Sequence, residues 1–578
     1  EVRRWTPLAA LITCEGMNMM RRSWRAMALA MLALAPTAPA PLEAQQVDPA
    51  LTTRAERTDY VETSRLEDVQ RFLDALAARS DLVRVSTFGT SEQGRPLLLV
   101  TLSNPPVSSP ADARALGRPV VFVQANIHGG EVEGKEAMQM MMRRLALGDL
   151  RPLLDRLVIL VAPIYNVDGN EAIDVMNRTA QYGPIAGVGR RENANGLDLN
   201  RDYMKLESAE ARALVRAYTD WDPHLVVDLH TTNGSYHGYH LTYSIPLNLT
   251  LPAELLDYHR NRMMPEIAQA LLERHGFRSY FYGNFVNRAP APGQPEQRVW
   301  LAFDHRPRAG QNYVGFRNRL TILSEAYSYL HFRDRVAVTE AFVEEILRYV
   351  DAHGREIMEL AARLDREFVE AAQGTAEMPI GVEYETRPLP EPVPILVGAV
   401  RHEVNPRSGR EMRVMLEDSI AVVPMLDYAV FEPTRSVPMA RAYVLPREPG
   451  MERIVEKLLQ HGIAVEELVE PLTTEVVTFT PSSLTKASRP FQGHHEVRLR
   501  GEYSTERATL PPGTYVVRLT QPLGRLAAYL LEPESDDGLV NWNFFDEWLA
   551  PGQPVPVRKI MGHVPMRTRG ASLPAGAR

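Results

Sequence analysis

The chain has 578 residues, of which 45% are hydrophobic and 24% charged, so it can bury a large core and has the length of two or more domains. Its 64 basic and 72 acidic residues leave a net charge of −8, and neither sign forms a long block. A protein with this negative net charge and no basic block does not attract polyanions, so we expect no nucleic-acid partner.

The N-terminal segment has the pattern of a secretory signal. From Met19 the chain has a basic start, an apolar stretch over 26–35 and small residues up to Ala44. The apolar stretch is about ten residues long, and a membrane span needs about twenty. We therefore expect residues 1–44 to be an upstream segment and a cleaved signal peptide, and the mature protein to be exported, periplasmic or extracellular in a bacterium, without a membrane span. The only cysteine, Cys14, precedes the cleavage point, which excludes thiol chemistry.

Helical and strand patterns alternate between about residues 55 and 350. Nearly continuous apolar runs over 119–124 and 225–229 are typical of strands buried on both faces, and 135–147 has helical spacing. This alternation predicts an α/β domain over 50–375, with a mixed, mostly parallel sheet flanked by helices.

The composition changes after a long helical pattern at 335–372. A Pro-rich stretch over 376–395 is predicted to be a linker, and valine-rich runs over 396–560 predict a smaller, strand-rich α+β accessory domain. Within it, the adjacent His494 and His495 point to opposite sides of a strand, which disfavours shared metal binding. Residues 561–578 are expected to be a disordered tail.

Polar groups follow the predicted buried strands, at the sheet edge where α/β enzymes bind ligands. The motif "HGGE" follows the run at 119–124, and a tight turn can direct His128 and Glu131 to a single cation. His230, at the end of the strand at 225–229, can supply a third ligand. Two nitrogens, one carboxylate and an open fourth position describe a catalytic zinc site.

Each of these signals is weak alone. An H-x-x-E pair occurs by chance at strand-end turns, and His230 alone fits a hydrogen-bonded strand residue. Glu133 and Glu136 compete for the carboxylate position, but their place in the following helix favours a solvated face. His237 and His240 are interpreted as strand residues rather than ligands.

Two further features follow the same order along the chain. The loop "RRENANGLDLNRDY" combines arginine and asparagine donors suited to a carboxylate, although an ordinary surface salt bridge is the alternative. Glu325 ends an apolar, β-rich run, where a glutamate is either paired structurally or held near a metal as a general base.

The chain has H-x-x-E, then an arginine, then D-x-N-R, then a strand-end histidine and a strand-end glutamate. This order of motifs resembles the zinc carboxypeptidase family typified by carboxypeptidase A. The segments "FGTSEQGRPLLLVTLSN" and "PIYNVDGNE" are also similar to that family, with Val167 where proline is usual. The resemblance covers roughly residues 58–350, and its motifs are specific as a set.

The resemblance implies that His128, Glu131 and His230 bind one Zn²⁺. It implies that Glu325 takes a proton from zinc-bound water, whose pKa the metal lowers, and passes the proton to the leaving amine. The oxyanion would be stabilised by Arg191, or by its neighbour Arg190.

The resemblance also assigns residues around the metal. Asn200 and Arg201 match the pair that binds the substrate's terminal carboxylate, and Asp198 matches the aspartate that orients the first zinc histidine. The family's mobile active-site tyrosine lies further upstream of the catalytic glutamate than Tyr313, which is the nearest candidate here.

We therefore expect an exported zinc metallocarboxypeptidase that acts on a peptide with a free C-terminal carboxylate. Basic, aromatic and aliphatic C-terminal residues all remain possible. A zinc-dependent N-acyl amino acid deacylase of the same fold is the alternative, since it shares H-x-x-E and "DLNR". A non-catalytic peptide-binding protein would lack a ligand or the glutamate, and all of them are present in this sequence.

Overall fold

The computed structural model describes residues 48–232, 234–289 and 293–571; the expected signal peptide lies outside them. The strands of the first part of the chain are β1 (Val83–Thr90), β2 (Pro96–Leu102), β3 (Val120–Ala125), β4 (Val158–Ala162), β5 (Leu225–Thr231), β6 (Leu241–Ser244), β7 (Ser279–Phe281), β8 (Asn284–Arg288), β9 (Gln297–Leu301) and β10 (Leu320–Ala326). Later strands are β11 (Pro379–Arg387), β12 (Val393–Val397), β13 (Val400–Val404), β14 (Glu411–Met415), β15 (Ala421–Met425), β16 (Asp427–Tyr428), β17 (Val430–Pro438), β18 (Ala442–Leu445), β19 (Glu466–Leu468), β20 (Leu472–Lys486), β21 (Val497–Leu510), β22 (Tyr515–Arg518), β23 (Arg558–Ile560) and β24 (Thr568–Gly570).

The helices alternate with the strands in the first part of the chain. They are α1 (Arg54–Arg57), α2 (Leu66–Ala77), α3 (Pro110–Leu116), α4 (Glu133–Leu147), α5 (Val167–Glu171), α6 (Ala209–Trp221), α7 (Ala253–Asp257), α8 (Met264–His275), α9 (Gly310–Phe316), α10 (Phe332–Gln373), α11 (Met451–Gln460) and α12 (Gly524–Leu531).

The main sheet has eight strands in the order β1-β2-β4-β3-β5-β10-β6-β7. Its four central strands, β4, β3, β5 and β10, run parallel, and antiparallel pairs join them to the outer strands on both sides. The predicted mixed, mostly parallel sheet is therefore confirmed. In the register of β5 and β10, His230 lies directly beside Glu325.

Both faces of the central strands are covered, as their continuous apolar sequences predict. In β3, Val121 and Val123 belong to one hydrophobic core, whereas Val120 and Phe122 belong to another. This alternation follows from the two-residue period of a strand. Helices α4 and α10 contribute to the first core, and α6 together with C-terminal residues contributes to the second.

Helix α10 is the longest element and lies against the first core. Buried residues recur at seven-residue spacing along it, at Val336, Val343, Val350, Ile357 and Leu364, so one stripe faces the protein. Its remaining faces carry many charged residues. Within the described ranges, no helix combines the length and the apolar character that a membrane crossing requires.

The C-terminal region is rich in strands, as expected, and its largest sheet has the order β21-β20-β23-β18-β22-β19-β24. The predicted linker over 376–395 contains β11, which pairs with β17, and the predicted tail contains β24. Strand β16 pairs with β9 from the first part of the chain. By their contacts, the described residues from Asp48 onward group as one compact unit.

Candidate functional site

The "HGGE" turn begins where β3 ends. Asn126 adopts a left-handed backbone conformation (φ 61°), which asparagine tolerates better than most residues. Its side-chain amide donates to the backbone carbonyls of His128 (3.1 Å) and Glu131 (3.0 Å), and the Glu131 N–H donates to the His128 carbonyl (2.9 Å). At Gly129 an added Cβ would lie 2.3 Å from a neighbouring backbone carbon. The turn is thus held by both hydrogen bonds and packing.

The three predicted metal ligands lie together. Glu131 Oε2 is 3.0 Å from His128 Nδ1 and 3.1 Å from His230 Nδ1, and the three ligand atoms lie within 4.8 Å of one another. All three side chains are buried, and the contact of His128 Nδ1 with Glu131 lacks hydrogen-bond geometry, so this nitrogen has no hydrogen bond to any described residue. Two imidazole nitrogens and one carboxylate form a zinc ligand set, so these residues fit the metal that the family uses.

A carboxylate lies behind each histidine. His128 Nε2 is 3.0 Å from Asp198 Oδ1, and His230 Nε2 is 3.0 Å from Asp228 Oδ2, although the second contact has poor hydrogen-bond angles. Such carboxylates fix the ring orientation of a metal-binding histidine and raise its basicity. Asp228 was not identified from the sequence. Its position two residues before His230 could have identified it, because alternate residues of a strand share a face.

Two arginines surround the Glu131 carboxylate. Arg191 binds Asp198 Oδ2 through Nε (3.0 Å) and Nη2 (2.9 Å), and its Nη1 lies 3.5 Å from Glu131 Oε1. Arg178 Nη1 is 3.0 Å from the same Glu131 oxygen. Burial opposes ionisation of Asp198, but His128 and the nearby arginines hold its pKa well below the usual range. Arg178 carried no sequence signal, because it reaches the site from a long irregular loop.

Glu325 lies at the end of β10 and is partly exposed to the cavity. No donor among the described residues pairs with its carboxylate. Its enclosure by protein raises its pKa to about 8, with His230 opposing the shift and Glu131 adding to it. A glutamate in this state can hold or release a proton near the metal ligands.

A cavity of about 270 Å³ connects these residues. Of the site residues predicted from the sequence, only Asp198 and Tyr313 do not line it; Arg190, the alternative to Arg191, does not line it either. The lining residues are His128, Glu131, Arg191, Asn200, Arg201, His230, Thr231, Ser244, Tyr282, Phe303, Gln311, Leu323 and Glu325.

Asn200 and Arg201 lie on a single 3-10 turn that Asp198 caps. Asn200 Oδ1 accepts a hydrogen bond from the Gly310 N–H (2.9 Å), which fixes the amide orientation. The Arg201 guanidinium lies 4.9 Å from the centre of the Phe303 ring, and burial lowers its pKa. No carboxylate forms a salt bridge with Arg201 among the described residues, so its charge is available to an anionic ligand.

The structure does not support Tyr313 as a substrate contact. Its ring is fully buried, and its hydroxyl is 2.8 Å from His461 Nδ1. Tyr282, between β7 and β8, lines the cavity instead. Burial and the nearby Glu325 raise the pKa of Tyr282, so it remains protonated. Distance along the chain could not identify it, because the segment between β7 and β10 is longer than the resemblance suggested.

The prediction that Glu133 and Glu136 lie on a solvated face was wrong. Both are buried in the structure. Glu136 accepts hydrogen bonds from the Ser64 N–H (2.6 Å) and hydroxyl (2.8 Å), and Glu133 pairs with Arg335 (3.4 Å). These glutamates therefore connect α4 to neighbouring segments and are not free to bind a metal.

A second group with metal-ligand atoms consists of His275, Glu344 and Glu345. Its carboxylates already have cationic partners, since Arg274 lies 2.8 Å from Glu345 and Arg144 lies 2.8 Å from Glu344. The group is therefore a salt-bridge cluster between helices.

Comparison with known proteins adds a family match. Residues 69–245 match the family model described as zinc carboxypeptidase. Carboxypeptidase 2 of Trichophyton rubrum is 22% identical over 502 residues, covering 83% of this chain and 84% of the relative. Carboxypeptidase D of Mus musculus is 31% identical over 195 residues, covering 30% of this chain and 14% of the relative.

Among solved structures, a metallo-carboxypeptidase from Pseudomonas aeruginosa is similar, with a TM-score of 0.37 and 21% identity over 52% of this chain and 71% of that chain. The family match includes the three candidate metal ligands. It ends before β10, so Glu325 lies beyond it.

Proposed function

We propose that the chain binds one zinc ion and removes the C-terminal residue of a peptide by hydrolysis, because residues 69–245 match the zinc carboxypeptidase family model. The observation that carries this proposal is the convergence of His128, Glu131 and His230 in one cavity with Glu325. A non-catalytic binding protein has no need of a glutamate beside the ligand set.

The metal ligands and Glu325 divide the chemistry between them. His128, Glu131 and His230 would hold the ion, which when bound lowers the pKa of water and polarises the scissile carbonyl. Glu325, beside His230 in the strand register, takes a proton from the attacking water and gives it to the leaving amine. Its lack of a partner leaves both carboxylate oxygens available for this transfer.

Arg191 is proposed to stabilise the oxyanion that forms during hydrolysis. Asp198 fixes two of its nitrogens, so the guanidinium is oriented before substrate binds. Donors that are already in position stabilise developing charge without reorganisation. Asp198 in this way connects the orientation of His128 to that of Arg191.

Arg201 and Asn200 are proposed to bind the terminal carboxylate of the substrate. A guanidinium without a carboxylate partner binds such a group strongly, because the charge-assisted hydrogen bonds form only with the ligand. Phe303, which stacks with Arg201, also lines a second cavity of about 480 Å³. An N-acyl amino acid, the substrate of the alternative deacylase activity, carries the same terminal carboxylate, so a comparison of substrates decides between the two activities.

The test combines a zinc assay with a matched substrate panel. We expect hydrolysis of peptides with a free C-terminus and at least about a hundredfold slower hydrolysis of the same peptides as amides, since removing a buried charge pair costs several kcal/mol. The variant Glu325→Gln should keep zinc and lose hydrolysis. Equal cleavage of free and amidated peptides would contradict the proposal, and activity restricted to N-acyl amino acids would favour the deacylase.

Export is proposed on the sequence alone. The basic and apolar pattern before Ala44 motivates it. N-terminal sequencing of the protein from an expressing bacterium should find a start after Ala44 in the exported fraction. An intact N-terminus confined to the cytoplasm would contradict this.

A further inference from the structure

Gln311 is a buried side chain of the cavity whose hydrogen bonds are unmade. It lies in the first turn of α9 and is 1% exposed. Neither its amide nitrogen nor its amide oxygen has a hydrogen-bond partner among the residues that the structure describes. The Asn200 amide in the same cavity differs, because its oxygen accepts from the Gly310 N–H.

Gln311 differs from most other unpaired polar side chains of the described residues, because both atoms of its amide are without a partner. Native proteins leave few buried polar groups unsatisfied, since each one loses its hydration without compensation. Gln311 lines the cavity, so whatever enters the cavity can supply its partners. A ligand that fills the cavity without forming both hydrogen bonds leaves the amide unsatisfied, which lowers its affinity.

The residues that line the same cavity limit which ligand fits. Ser244 and Leu323 lie opposite each other in the register of β6 and β10, and both line the cavity. Among the described residues that line it, the carboxylates are Glu131, a proposed metal ligand, and Glu325, the proposed general base. A basic side chain therefore has no free carboxylate to pair with, and a purely apolar side chain would leave the Gln311 amide without partners.

We propose that Gln311 is a specificity residue that selects C-terminal asparagine or glutamine. A carboxamide side chain matches it at both atoms: the substrate oxygen accepts from Gln311 Nε2, and the substrate NH₂ donates to Gln311 Oε1. An aspartate or glutamate side chain can satisfy only Nε2 and brings its negative charge against Oε1. This inference rests on the proposed carboxypeptidase activity, and it names the class of C-terminal residue removed.

The size of the preference follows from the number of hydrogen bonds. Two bonds that an apolar residue cannot form, at about 1 kcal/mol each, predict at least about a tenfold higher kcat/KM for asparagine than for the similarly sized leucine. Sites built for hydrogen bonding can discriminate far more strongly than apolar pockets.

The experiment measures kcat/KM on N-blocked dipeptides that differ only in the C-terminal residue: asparagine, glutamine, leucine, phenylalanine, lysine and glutamate. The wild type should favour asparagine and glutamine. Gln311→Leu should reduce the asparagine-to-leucine ratio at least about tenfold, and the nearly isosteric Gln311→Glu should shift the preference towards lysine. Gln269→Leu, at an exposed glutamine of α8, is the matched control and should keep the wild-type ratio.

Binding separates this inference from the proposed function. Calorimetry on the zinc-loaded Glu325→Gln variant should give a Kd for free asparagine at least about tenfold lower than for leucine, and adding Gln311→Leu should abolish the difference. If no dipeptide is hydrolysed, the carboxypeptidase proposal fails while the binding preference still tests Gln311. Equal Kd values for asparagine and leucine, or an unchanged ratio in Gln311→Leu, would overturn the inference.

Discussion

The two carboxylates behind His128 and His230, the histidines proposed to bind zinc, should respond differently to the same substitution. Asp198 accepts from His128, from the Asn200 N–H (2.9 Å) and twice from Arg191. The one ion-pair contact of Asp228 with a described residue is that with His230, and neither of its oxygens has a well-formed hydrogen bond among these residues. The two aspartates therefore share one role, the support of a metal ligand, but only Asp198 also holds an arginine in the cavity.

We predict that Asp198→Asn and Asp228→Asn each lower zinc affinity by about 10–100-fold, or about 1.4–2.7 kcal/mol, because each removes the carboxylate behind a ligand. In Asp198→Asn the two charge-assisted bonds to Arg191 are also lost, at about 1.5–3 kcal/mol each. Even if only one of them contributes in the transition state, kcat at saturating zinc should fall by a further tenfold or more. In Asp228→Asn, kcat at saturating zinc should change less than about threefold.

Zinc affinity is measured by competition with a chelating dye, and kcat is measured on one peptide with zinc in excess. Far-ultraviolet circular dichroism checks that both variants keep the fold. If both variants show the same kcat at saturating zinc, the proposed link between Asp198 and Arg191 is refuted.

Three further predictions concern the support of the site. Gly129→Ala should abolish zinc binding, because its Cβ would meet backbone at 2.3 Å, whereas Gly562→Ala, with nothing within 4 Å, should bind zinc normally in a dye titration. Gln492 in the C-terminal region accepts from the Asp198 N–H at 2.8 Å, so Gln492→Ala should lower kcat/KM about three- to tenfold, and unchanged kinetics would exclude a role of this region in the site. Burial lowers the pKa of His259 to about 4, and its Nε2 accepts from a backbone N–H. The unfolded chain thus binds the proton first as pH falls, and the free energy of unfolding should drop by about 3 kcal/mol between pH 6.5 and 4; a urea titration of His259→Gln should show a smaller drop.

The sequence determined the central sheet and the candidate metal ligands. Continuous apolar runs are required where both faces of a strand are covered, so the strands β3 and β5 could be predicted from the sequence. Polar residues that follow such runs must lie at one edge of a parallel sheet, and this brings His128, Glu131 and His230 within reach of each other. The proximity of Glu325 to them follows from the same rule.

Tertiary structure alone decided the surroundings of these ligands. Tyr282 and Gln311 reach the cavity, and Arg178 reaches Glu131, from irregular segments or a short helix, whose paths depend on packing against distant parts of the chain. Tyr313 has the right residue type and an approximate position in the sequence, yet its hydroxyl bonds His461 from the C-terminal region. Local sequence patterns report which face of an element is buried. The identity of the partner that a buried polar group meets depends on contacts between residues far apart along the chain, and only the folded structure shows them.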